Sequence, residues 1–171
     1  IRAVRVDEIA QRLGISKRTL YEMFADKNDL ISACLDDLAR RQRQRIAASR
    51  RRRSGNPLQR TLRLANDYID SLYTVDHSFL ADIRRKVLFA EQYDEHREFW
   101  RKELSLNLEE CRGGGLLLSE IDTAALAEQL MSTLFELRLN RTTREELYLL
   151  CRTILRGAAT QQGIDLIDRK P

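Results

Sequence analysis

The sequence predicts an all-α protein on three observations. Pro occurs twice and Gly seven times in 171 residues, so little interrupts a helix. Apolar residues recur at i, i+3 and i+4 through most of the chain, and strand-like alternation never runs beyond a few residues. With 43% hydrophobic and 33% charged residues, the chain is globular in composition. It is long enough for one sizeable core, or for two smaller units that share a long helix.

The net charge of +4 is unevenly placed. Residues 1–53 hold 14 Lys/Arg against 7 Asp/Glu, a net +7; residues 54–171 hold 16 against 19, a net −3. A basic first third beside a mildly acidic remainder points to a polyanionic partner for the first third alone. Cys34, Cys111 and Cys151 are odd in number, far apart and set in apolar stripes. They read as three reduced, packed thiols of a cytoplasmic protein rather than a disulfide framework or zinc site. No apolar run reaches 18 residues and no secretory signal is visible, so no membrane partner is expected.

The first helix is predicted from an Asp7 cap to about Leu13, ended by Gly14 in the left-handed conformation. Ser16 caps a second helix that opens with Lys17 and Arg18. Ile9, Leu13, Ile15, Leu20 and Met23 fall where a helix-turn-helix makes its apolar contacts, and Ala10 falls where the two helices come closest. Two cations in a first turn oppose the helix dipole. Phosphates or guanine edges would supply the missing negative charge. Thr19 and Tyr21 add hydroxyls to the same helix, whereas Glu22 would repel phosphate.

The run DEIAQRLGISKRTLYEMFADKNDL resembles the DNA-binding motif of TetR-family transcriptional regulators, the tetracycline-repressor-like proteins. The likeness includes the T-L-Y-x-x-F core, here Thr19, Leu20, Tyr21 and Phe24, and the lysine just after it, Lys27. It covers about residues 5–35 and is architectural beyond them. The resemblance implies that Lys17, Arg18, Thr19 and Tyr21 face the major groove or its phosphates, and that Tyr21 and Lys27 touch the backbone. With Ser16 at the helix start, these six form the candidate DNA-binding set. Met23 departs from the commoner aromatic or His, and no DNA role is carried onto it. In that family another helix precedes the motif. The chain begins IRAVRV without an initiator Met, so that helix is expected to be missing upstream.

Asp26 is the predicted cap of a long helix with an apolar stripe of Leu30, Ile31, Cys34, Leu35, Leu38 and Ile46. Its later part is strongly basic, from Arg40 to Arg53, and reads as a solvated face that attracts DNA at long range. Ser54-Gly55-Asn56-Pro57 breaks it, with Asn56 as cap and Pro57 at the first helical position. The expected division is a DNA-binding unit at 1–46, which includes the start of the long helix, and a ligand-binding and dimerisation unit at 47–171.

In the second unit a helix over about 57–74 carries Tyr68 and Leu72, and one to about Ala90 carries Phe79 and Ile83. A third, from about Asp94 to Cys111, sets Tyr93, His96, Trp100 and Leu104 on one face and ends at Gly113-Gly114-Gly115. Aromatics mixed with a few polar groups are what a ligand pocket needs. With Met131 and Phe135 from the following helix, these ten residues are the candidate effector contacts.

Asp122 caps that following helix, which ends near Asn140, and Thr143 with Glu146 forms a capping box for the next. Both are apolar over more than half their circumference. Leu126, Leu130, Leu134 and Leu137 on one, with Leu147, Cys151, Ile154, Leu155 and Ala158 on the other, are therefore expected at a homodimer interface, where the family resemblance also places it; the alternative is that both helices are simply central in a monomer. Gly157 is expected inside the second of these helices, tolerated only if another helix approaches closely there. The tail from Ile164 is expected to be loose.

No catalytic constellation appears. His77 and His96 are the only histidines, with Asp76 and Glu95 adjacent in sequence rather than one helical turn away. There is no metal-ligand spacing, phosphate loop or nucleophile elbow, so neither an enzyme nor a cofactor is expected. The function expected is a ligand-responsive, sequence-specific DNA-binding regulator. The resemblance implies a repressor that a small molecule releases from double-stranded, pseudo-palindromic operator DNA, and the apolar pocket stripe without clustered charge favours a mostly hydrophobic or aromatic effector. A helical protein-interaction adaptor without DNA binding is the alternative.

Overall fold

The computed structural model describes residues 5–52, 55–85 and 89–168, and among them it is helical without a strand. In chain order the elements are α1 Val6–Leu13, α2 Lys17–Met23, α3 Lys27–Arg52, α4 Pro57–Tyr73, α5 His77–Arg85, α6 Ala90–Gly113, α7 Thr123–Leu139, α8 Arg144–Gly157 and α9 Gln161–Asp168.

Most boundaries follow from capping chemistry. Gly14 ends α1 at φ 67°, and the Ser16 Oγ accepts the Thr19 amide to start α2. Asp26 Oδ1 accepts the amides of Asn28 and Asp29 at the start of α3. Asn56 and Gln59 form a reciprocal capping box with Pro57 at the first position of α4, and Thr143 with Glu146 does the same for α8. Asp122 accepts two amides of α7.

Four expectations about elements are corrected. Helix α1 starts two residues early, with Arg5 and not Asp7 at its cap position and no side-chain bond made there. Asp7 is instead in the first turn, where its charge suits the helix dipole and meets Lys17 at 2.9 Å. Helix α6 begins at Ala90, not Asp94, because Phe89 is buried beside Ile31 and Ile83 and pins its start. Val87 and Leu88, expected in the preceding helix, lie outside the described residues. Gly157 is the last residue of α8, with open space around its Cα, and not an interior contact.

The tail is not loose either: α9 docks, with Ile167 buried. The close approach belongs to Gly163, where a Cβ would overlap the Leu116 carbonyl oxygen. The Leu118 amide bonds the Ala158 carbonyl at 3.0 Å and the Thr160 amide bonds the Leu116 carbonyl at 3.1 Å, so the loop after α6 is stitched to the α8–α9 junction.

The main core lies among α4, α6, α7 and α8, closed by Ile46 of α3 and Ile167 of α9. Ile31, Ile83 and Phe89 make a smaller cluster where α3 meets α5 and α6. The α1–α2 pair stands apart from both, with Ala10 and Leu20 as its buried residues. Leu13 and Met23, expected among its inner contacts, are 62% and 65% exposed.

The basic stretch of α3 is more than a solvated face. Arg40 and Arg41 pair with Asp37 of the same helix. Arg43 pairs with Glu95, Arg45 with Asp67 and Arg50 with Glu103, tying α3 to α4 and α6. Of the thiols, Cys111 and Cys151 are buried as expected, but Cys34 is exposed.

Candidate nucleic-acid interface and effector cavity

Ser16, Lys17, Arg18, Thr19 and Tyr21 are all exposed on one turn and a half of α2, while Lys27 is half-buried at the start of α3. Ser16 and Thr19 are tied locally, Oγ to Oγ1 at 2.8 Å, which holds the N-terminal turn in shape. The two opening cations have partners within the unit. Lys17 Nζ sits 2.9 Å from Asp7, and the bond and charge raise its pKa and lower that of Asp7. Arg18 Nε donates to Glu22 Oε1 at 3.1 Å. Glu22 therefore faces a cation of its own helix. Both pairs are exposed and weak enough to exchange for phosphate. At the start of α3 the amides of Asn28 and Asp29 are already taken by Asp26. Lys27 is left as the group there that can meet a backbone phosphate.

The second feature is a cavity of about 840 Å³, its open mouth included, between α3 and the faces of α4, α5, α6 and α7. Six of the ten candidate effector contacts line it: Tyr68, Leu72, Ile83, Tyr93, His96 and Phe135. Met131 joins Tyr68, Tyr93 and Phe135 around an adjacent depression. The other three do not line the cavity. Leu104 is wholly buried in the main core, and Phe79 packs on the Ile31–Ile83–Phe89 cluster. Trp100 is buried behind His96 and opens on a separate small depression beside α3. Helical periodicity put them on the inner face without saying which part of that face is filled.

The wall that sequence reasoning missed is α3, which contributes Leu35, Leu38, Ala39, Gln42 and Arg43. Its apolar stripe was legible, but nothing local marks a stripe as the side of a cavity. Tyr93 and Phe135 meet edge to face across 5.6 Å. His96 Nε2 accepts the Trp100 indole N–H at 3.1 Å, which puts the proton of the neutral ring on Nδ1. Burial, helped by the charge of Arg43, pushes the His96 pKa down to about 4. Burial also raises the Tyr68 hydroxyl well above its usual range.

The expected dimer residues divide. Leu130, Leu134, Leu147, Cys151, Leu155 and Ala158 are buried in the chain's own core, and so cannot form a surface. Helix α7 is apolar around most of its circumference because α6, α4, α5 and α8 surround it. Leu126, Leu137 and Ile154 are half-buried at the margins, and Leu149, not anticipated, is 67% exposed on α8.

Residues 1–34 match the family model described as "Bacterial regulatory proteins, tetR family". No curated protein sequence gives a significant match. Solved structures do. A TetR transcription regulator from Haloarcula marismortui superposes at a TM-score of 0.76, with 17% identity over 94% of this chain and 89% of that one. A Rhodococcus sp. protein described as a TetR-family transcriptional regulator gives 0.72, at 17% identity over 92% and 89%. The fatty acid degradation regulator FadR from Bacillus halodurans gives 0.68, at 20% identity over 91% and 83%. At such identities the structural likeness is one of fold. Residues 1–34 carry the motif of the tetR family, and in fold the chain resembles TetR-family regulators over more than 90% of its length.

Proposed function

We propose that the protein is a ligand-responsive, sequence-specific DNA-binding transcriptional regulator, a cytoplasmic repressor that a small molecule releases from its operator. The observation that carries this is the double position of α3. Its N-terminus follows directly on the α2 reader, and its middle, from Leu35 to Arg43, walls the cavity. A ligand that fills the cavity presses on the helix that aims the reader.

The division of labour is 1–46 for DNA and 47–171 for effector and self-association. Ser16, Lys17, Arg18, Thr19 and Tyr21 read the groove or its phosphates, and Lys27 holds the backbone. Two copies associate through the outer margins of α7 and α8, where Leu126, Leu137, Leu149 and Ile154 remain accessible. Two α2 helices then enter successive major grooves of a pseudo-palindromic site. Displacing α3 changes their separation, and a bivalent contact becomes a strained one.

The test is operator binding by fluorescence anisotropy, on a site selected from a random duplex pool, across a salt series. Tyr21→Ala and Lys27→Ala should each weaken binding about tenfold, and Lys27→Ala should lower the salt slope by about one. Equal binding of both variants at moderate salt would reject the interface.

A further inference from the structure

The cavity has a polar anchor of its own. Gln42 of α3 lines both the cavity and the smaller depression beside Trp100. Its Oε1 is buried and has no hydrogen-bond partner among the described residues. A buried amide oxygen left unpaired is unfavourable, and a hydrogen-bond donor bound in the cavity would relieve it once the Gln42 amide turns to present that oxygen. His96, on the same wall system, keeps its proton on Nδ1 because Nε2 is held by Trp100. One lining group therefore asks for a donor, and another offers one.

Charge narrows the class further. The charged residues of the lining are Asp36, Arg43, Glu95 and Arg97, which sum to zero. Arg43 is engaged by Glu95 and lies over the Phe99 ring at 5.5 Å, and Arg97 is paired with Glu128. No cation of the lining is left over for an anion, and an unpaired carboxylate in such a site would be heavily penalised. The rest of the wall is Leu35, Leu38, Leu72, Leu80, Ile83 and Phe135, which suits an aliphatic or alicyclic body.

We infer that the effector is a neutral apolar alcohol, whose hydroxyl donates to Gln42 Oε1 and accepts from the His96 ring N–H. A hydroxyl does both at once, whereas an ether or a ketone only accepts. The inference rests on the cavity being the effector site, and it also says why binding is felt at the reader: the anchoring residue belongs to α3.

The chain carries a single tryptophan, Trp100, hydrogen-bonded to His96 behind the cavity wall, so its emission reports occupancy. The full chain is titrated with 1-decanol, its methyl ether and decanoate. Decanol should bind at least about fivefold more tightly than the ether, the worth of one neutral hydrogen bond, and decanoate more weakly than decanol. Gln42→Met, close in volume, should abolish the preference for decanol over the ether while both still bind. Gln42→Leu serves if the Met variant does not fold, as judged by circular dichroism. Ether and alcohol binding alike, decanoate binding best, or a preference that survives in the folded variant would overturn the inference and leave the cavity as a ligand site. Failure of all three probes to alter Trp100 emission or thermal stability would overturn the cavity reading itself, and this inference with it.

Discussion

His96 is a base kept neutral by where the chain puts it. Its ordinary pKa is about 6.5. Burial, then Arg43, brings it to about 4 in the fold. The unfolded chain therefore takes up the proton first, and stability is lost as pH falls from about 6.5 towards 4. The full effect is on the order of 3 kcal/mol. Protonation would also take from Trp100 the acceptor it uses. Urea midpoints between pH 7.5 and 5 should fall steeply for the native chain. They should fall less for His96→Gln, whose amide oxygen still accepts from the indole without titrating; parallel slopes would show that His96 is not the group responsible. The histidine was visible in the sequence as a polar member of an aromatic face. Its neutral state was not, because its pKa depends first on burial and then on Arg43, 53 residues away in sequence, and both are set by the tertiary fold.

Among the elements, the C-terminal segments show how a glycine is misread. Gly157 looked like an interior helical residue that needed a close neighbour. It ends α8 instead, and Gly163 holds the close contact. Gly163→Ala should destabilise the protein by about 1–3 kcal/mol, since the Leu116 carbonyl that it meets is backbone and is held by the Thr160 amide. Gly157→Ala, with open space around it, should be neutral or stabilising by up to about 1 kcal/mol. Thermal or urea denaturation of the two variants decides this directly, and equal effects would remove the distinction. The caps of α2, α3, α4, α7 and α8 were readable because each is a bond between residues two or three apart. The start of α6 was not, since it depends on Phe89 burying against Ile31 and Ile83.

At the scale of the whole molecule, α3 is the mechanical link. Arg43–Glu95, Arg45–Asp67 and Arg50–Glu103 fasten it to α6 and α4 along its length. A second level of assembly is the proposed dimer. The most exposed apolar side chain of α8, Leu149, is its natural centre, because the neighbours first expected there are already used in the core. In sedimentation velocity at micromolar concentration the native chain should run as a dimer. Leu149→Glu should run as a monomer of unchanged helicity and lose about a hundredfold in operator affinity, the advantage that two linked contacts confer. A monomeric native chain would exclude the mechanism.

What the sequence determined by itself is local. The helix-turn-helix of Asp7 to Lys27 is written in residues a few positions apart, and so are most helix ends and the all-α class, because caps, turns and periodicity act over one or two helical turns. What the tertiary structure alone decided is which apolar face meets which. Periodicity identifies a buried stripe identically whether its partner is the same chain, a second copy or a ligand. Only packing in three dimensions could move Leu130, Leu134 and Leu147 from an interface into the core, turn α3 into a cavity wall, and leave the Gln42 oxygen buried without a partner.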